Sequence, residues 1–281
     1  MTTSENRSFI RQAWKHIFGL LICVILFFSG FLIHGNTGLY LNVSGFLIVI
    51  GGTLGATLLS YNISRIGIMI KVLKTSYIKS TRNPNEIIQI LVDLSVKRRI
   101  KGVLALQDDE DETAVIFLRQ AIGLLVDGYT KEQIRDILTQ EMRFFRMRRD
   151  ETRRVLQTMA DVAPSFGLVG SVVGLIGMLS GPGDSSVIMS TVPVALTSTL
   201  YGIVVANFIF LPFAASVKER TIHELFVQKV ITEGVLAISD NLHPRMLERK
   251  LKSFLTPSAR YDRYVSHERI REMFKLKESV R

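Results

Sequence analysis

Three hydroxyl side chains sit where charges are absent. Ser171, Ser198 and Thr199 lie inside stretches that carry no Asp, Glu, Lys or Arg. In such a setting a hydroxyl can bond back to a carbonyl of its own helix. It can also supply an oxygen ligand to a hydrated or partly dehydrated cation. Around these residues run two series of small side chains. Gly167, Gly170, Gly174, Gly177 and Gly181 follow at spacings of 3, 4, 3 and 4, which on a helix places all five on one face. Ala195, Thr199, Gly202 and Ala206 follow at spacings of 4, 3 and 4. Seams of this kind let helix backbones approach closely in lipid. The spacing leaves two uses open: packing within one subunit, and a tight surface or pore around a foreign helix. Pro164 and Pro212 mark the same two stretches. Each removes a backbone donor and favours a kink, either a fixed bend or a hinge.

Other chemistry is missing. There is no Walker A, nucleophile elbow or HExxH motif. The five histidines are scattered, and the single cysteine, Cys23, lies in an apolar stretch. The acidic run 108–112 lacks the turn glycine and spaced Glu of an EF-hand loop, so it reads as a solvated connector. Neither an enzyme nor a cofactor or metal site is expected. No carboxylate falls within the charge-free stretches. A charge at mid-membrane costs roughly 2.5–3.5 kcal/mol on insertion scales, so such groups are present only where needed. If this chain serves a proton path, a partner chain must supply the acid.

The elements that must position these residues follow from the charge pattern. The 281-residue chain has four charge-free stretches, 17–33, 43–59, 162–179 and 192–217. Each approaches the ~20 apolar residues that span a bilayer as a helix. The 35 Lys and Arg fall in 1–16, 61–159 and 216–281, with none in the connectors 34–42 and 180–191. The positive-inside rule then puts both termini and the long middle loop in the cytoplasm. It also accounts for the net charge of +10 without nucleic acid, because the basic residues alternate with acids. Residues 1–33 resemble a signal peptide in outline, but His34 and its successors offer no small-x-small cleavage site, so an uncleaved first span is expected.

The fold class expected is all-α: a polytopic membrane protein with four transmembrane helices and a helical cytoplasmic domain. Its parts are a cytoplasmic amphipathic amino terminus (1–16), two spans (17–60), a helical loop (61–160), two further spans (161–215) and a helical tail (216–281). Within the loop, Asn83-Pro84 with Glu86 predicts a helix start. A second helix is predicted over 114–126, ended by Asp127-Gly128. Thr130 with Gln133 forms a capping-box pattern that opens one long helix running into the third span. The tail continues the fourth span over 216–240 and breaks at 241–244.

The run from Ala163-Pro164 through Leu179 resembles the third-span signature of MotA/PomA flagellar stator subunits. So do Val194–Asn207 with Leu211-Pro212, Gly51-Gly52-Thr53, and the tail segment from Asn241 through Leu255. The resemblance covers nearly the whole chain. It implies five copies around two copies of a single-pass MotB/PomB-like subunit that supplies the membrane Asp, in lipid of the bacterial inner membrane. Ion flow, H+ or Na+, would turn the ring, and the cytoplasmic loop would push the rotor protein FliG. Ser171, Ser198 and Thr199 would then lie on the ion path, with Ser171 where sodium-type relatives usually carry Thr. Gly167, Gly170, Gly174, Gly177, Gly181, Ala195, Gly202 and Ala206 would pack the partner helix, and Pro164 and Pro212 would couple conformation to ion passage. Arg99 matches the rotor-contacting arginine of that family. Its acidic counterpart is Gln107 here, and whether Asp108, Asp109 or Glu110 substitutes for it is left open by the spacing. Two alternatives stay open: a TolQ/ExbB-like energiser of an envelope machine, and a membrane scaffold that conducts nothing.

Overall fold

The structure, a computed structural model, describes residues 40–78, 83–107, 115–180 and 185–255, with isolated positions between 22 and 30. Most of the expected first span (17–33), residues 108–110, Gly181 and the end of the tail lie outside these residues. Among the described residues there are eight α-helices and no strand: α1 Val43–Ser60, α2 Ile63–Ile78, α3 Pro84–Lys101, α4 Ile116–Val126, α5 Lys131–Leu179, α6 Ser185–Val205, α7 Leu211–Ser239 and α8 Pro244–Lys252. Among the described residues, three helical runs are long and apolar enough to cross a membrane: α1, part of α5, and part of 187–239.

The chain divides into two compact units. One draws on residues before 63 and on 157–212, and the other on 63–156 and residues after 212. In the first, Asn42 caps α1 by accepting from the Gly45 N–H at 3.0 Å. Thr53 and Thr57 are buried in α1 and donate to carbonyls one turn back, Val49 and Thr53, at 2.6 and 2.7 Å, which lets polar residues sit in an apolar helix. The Tyr61 hydroxyl bonds to Thr158 Oγ1 at 2.8 Å and ties the end of α1 to α5. The expected connector 180–191 is shorter than its lack of Lys and Arg suggested, because α6 already begins at Ser185. Pro193 does not prevent this. Helix continues on both sides of it, and Thr191 donates to Val187 O one turn back at 2.7 Å. A widened π turn, Ala206–Phe210, separates α6 from α7. Pro212 lacks the N–H that would bond to the residue 208 carbonyl, and the loosened turn stands directly before it.

In the second unit α3, α4, the first turns of α5, the latter half of α7 and α8 share one core. Ile87, Ile88, Leu91, Leu118, Ile122, Ile134, Leu138, Ile231, Ile238 and Leu247 are almost wholly buried in it. Each boundary has a local cause. The Asn83 side chain accepts from the Asn85 N–H at 3.1 Å, with Pro84 in the first turn of α3. The Thr130 N–H donates to Gln133 Oε1 at 2.9 Å, and the Gln133 N–H returns the bond to Thr130 Oγ1 at 3.3 Å, a complete capping box. Asn241, with φ of 53°, takes the left-handed conformation that ends α7, a role Asn tolerates.

Candidate functional site

The two small-residue seams meet each other. A methyl built on Gly174 would lie 2.7 Å from the Ala195 nitrogen and 2.9 Å from its Cα. On Gly170 it would lie 2.5 Å from the Ser198 side chain, and on Gly167 3.0 Å from the Ser198 carbonyl oxygen. On Gly177 it would meet only the Thr191 methyl, at 3.2 Å. From the other side, a methyl on Gly202 would sit 2.7 Å from the Ala163 carbonyl and 3.1 Å from the Pro164 Cα. The pairs 177–191, 174–195, 170–198 and 167–202 run in opposite senses, so α5 and α6 are antiparallel and in backbone contact. Ala195 and Ala206 are buried. At Gly167, Gly170, Gly174, Gly177 and Gly202 the seams pack within the chain. Their opposite flanks remain uncovered: Leu168, Val172, Val173, Ile176 and Leu179 of α5 and Leu196 of α6 are largely exposed.

At the edge of this contact the hydroxyls of Ser171 and Thr199 bond to each other. Ser171 also donates to the Ala195 carbonyl at 2.6 Å. Since Ser171 has one proton, Thr199 is the donor within the pair. Two hydroxyl oxygens and a carbonyl thus converge from facing helices, the oxygen-donor chemistry that suits a hard monovalent cation or a water file. Ser198 is not part of this group. It is fully buried, its hydroxyl donates to the Val194 carbonyl at 2.6 Å, and it fills the space left by Gly45 of α1 and Gly170 of α5. The Gly51-Gly52 motif has a similar explanation, because a methyl on Gly52 would fall 2.2 Å from a ring carbon of Phe166.

Arg99 lies exposed near the end of α3, and Gln107 is exposed just beyond the turn Leu104–Leu106. Gly102 makes that turn possible at φ of 86°, a left-handed conformation that a side chain would strain. The neighbouring Arg98 turns inward instead. Burial lowers its pKa from the ordinary arginine value, and Asp240 opposes the shift. Asp240 also pairs with Lys131 at the start of α5.

Sequence reasoning missed what holds α3 in place. α8 packs on α3 and carries an ion pair, Glu248–Lys252 at 2.9 Å, whose side chains are only 6% and 10% exposed. Lys250 donates to Glu233 of α7 at 2.9 Å. That hydrogen bond holds the Glu233 carboxyl below its ordinary pKa, against burial, with Lys229 adding to the effect. The only signal in the sequence was the i,i+4 spacing of Glu248 and Lys252. Between α5 and α7, Arg149 reaches Glu224 at 3.1 Å and lies over the Phe145 ring, 5.1 Å from its centroid.

Residues 109–229 match the MotA/TolQ/ExbB proton channel family. The chain is 31% identical over 226 residues to the chemotaxis protein PomA of Vibrio alginolyticus, covering 80% of this chain and 88% of that one. It is 33% identical over 223 residues to motility protein A of Borreliella burgdorferi, covering 79% and 86%. Its fold superposes on a chain of the C. jejuni MotAB structure with a TM-score of 0.81 at 28% identity, covering 88% of this chain and 98% of that one.

Proposed function

The chain belongs to the MotA/TolQ/ExbB proton channel family, and from that premise we propose how it works as a flagellar motor stator subunit of the inner membrane. It conducts H+ or Na+ together with a MotB-like partner and turns ion flow into torque. The observation that carries the reading is the Ser171–Thr199 pair at the α5–α6 contact, in spans that hold no carboxylate of their own. Oxygen ligands are present and the acid is absent, so the partner's membrane helix must bring a carboxylate to complete the path. Five copies around two partner helices would bury the exposed apolar flanks of α5 and α6. Both termini, α3 and α8 then face the cytoplasm, where Arg99 reaches FliG. Gln107 cannot supply the acid of a charge pair there, so Asp108, Asp109 or Glu110 takes that part. Pro164 lies against Gly202 and Pro212 follows the π turn, and this loosened backbone supports a role for both prolines in converting ion passage into helix movement. A TolQ/ExbB-like energiser is less well supported, since relatives that are at least 30% identical over most of the chain include PomA and motility protein A.

The test is deletion and restoration of the gene in a strain without other stator genes, scored for swimming and for envelope integrity. Flagellated, paralysed cells that swim again on restoration are expected. Intact swimming with a leaky envelope would favour the energiser. A further expectation concerns Arg99→Glu. It should lower swimming speed at least severalfold while leaving membrane levels and partner co-purification unchanged, because the side chain is exposed. Unchanged speed would remove Arg99 from the rotor contact.

A further inference from the structure

The bond between Thr199 and Ser171 needs α6 to keep its rotation. The α6 contact with α5 is made of glycines and small residues, which give close approach. A further constraint on rotation about the helix axis comes from the other side. Tyr201 stands two residues after Thr199, roughly 200° further round the helix, and it reaches α1. Its hydroxyl accepts the Asn42 N–H at 2.8 Å and donates to the Tyr40 carbonyl. The Phe46 ring meets the Tyr201 ring edge-on, with centroids 6.1 Å apart and planes at 81°. Asn42 is the cap residue of α1. Its N–H precedes the intrahelical ladder, so Tyr201 supplies a partner that the helix itself does not.

We propose that Tyr201 is a positioning residue for ion passage: by pinning α6 to the first turn of α1 it fixes the rotation of α6 and holds Thr199 against Ser171. The proposal rests on the stator reading and deepens it. Ser198, lying between Gly45 and Gly170, sets the spacing of the three helices, and Tyr201 sets the angle. Two hydrogen bonds to backbone groups, rather than to side chains, make the lock independent of side-chain rotamers in α1.

The experiment uses the full chain with its partner in cells lacking other stators. Swimming speed is recorded against sodium concentration and against external pH for Tyr201→Phe, Thr199→Ala and the double variant. Membrane levels and partner co-purification are measured in parallel. Tyr201→Phe keeps the ring on Phe46 and should keep assembly. It should raise the half-saturating concentration of the coupling ion about two- to tenfold, the scale of the one net hydrogen bond between Thr199 and Ser171 that misalignment would weaken. Thr199→Ala should shift the same quantity, and the double variant should add little to the larger single effect. An unshifted half-saturating concentration in Tyr201→Phe, or a shift fully additive with Thr199→Ala, overturns the proposal. So does a fall in partner co-purification alone, which would assign Tyr201 to assembly. If Thr199→Ala leaves the ion dependence unchanged, the hydroxyl-pair reading fails first. If Thr199→Ala shifts it and Tyr201→Phe does not, only the positioning role fails.

Discussion

Gly174→Leu should abolish swimming driven by this protein. The atoms that a side chain at 174 would meet are the Ala195 nitrogen and Cα, at 2.7 and 2.9 Å from the first added carbon. Backbone of a packed helix cannot rotate away as a side chain can. Overpacking a core typically costs about 1–3 kcal/mol, and here the whole α5–α6 contact must open to admit even a methyl group. The Ser171–Thr199 bond and the Ser171–Ala195 bond lie one turn from the same contact and would separate with it. The prediction is graded, which makes it sharper. Gly174→Ala should already lower swimming speed strongly. Gly177→Ala should be mild, because its methyl meets only the Thr191 side chain, at 3.2 Å, and no backbone. Swimming speed, membrane levels and partner co-purification measure the series. Wild-type swimming with Gly174→Leu would show that α5 and α6 do not need this approach.

The second large effect concerns the cytoplasmic end of the mechanism. Glu248→Ala would leave the Lys252 ammonium nearly buried without its 2.9 Å partner. Removing one member of a buried ion pair costs about 3–5 kcal/mol, a large share of the roughly 5–15 kcal/mol that stabilises a typical domain. Leu247 and Leu251, fully buried beside the pair, would lose their seat on α3 as α8 loosens. Torque should then fall with the membrane spans intact. Thermal unfolding of detergent-solubilised protein should show an earlier transition for Glu248→Ala. The double change Glu248→Gln with Lys252→Met should recover most of it, since replacing both partners avoids the unpaired charge. Equal melting of Glu248→Ala and the native protein would show the pair to be dispensable.

Much of this was legible because local rules suffice for local features. Asn83-Pro84 starts a helix by its cap and fixed φ. Thr130 and Gln133 satisfy each other's backbone donors. Asn241 ends α7 by taking a conformation few residues accept. The glycine spacing declared a seam and its face. What spacing does not carry is the identity of the neighbour. The seam of α5 pairs with the seam of the same chain's α6, a choice made by tertiary packing. Ser198 and Thr199 are adjacent in sequence, so composition ranked them together. The 100° between them on the helix sends one into a gap between glycines and the other to Ser171. Tyr201 escaped notice because its partners are backbone groups about 160 residues away, and backbone leaves no mark in a sequence. Arg98 and Arg99 likewise look equivalent until burial separates them.

The most direct test of the central claim is rotation itself. Cells lacking every stator gene are tethered by a flagellum, and this gene and its partner gene are induced while rotation is recorded. Stationary cells should begin to turn, gain speed as expression proceeds, and stop when the ion gradient is collapsed. Removing the partner's membrane carboxylate should prevent rotation from starting. Cells that stay still although both proteins reach the membrane and assemble, or that turn without the partner's carboxylate, would contradict the account.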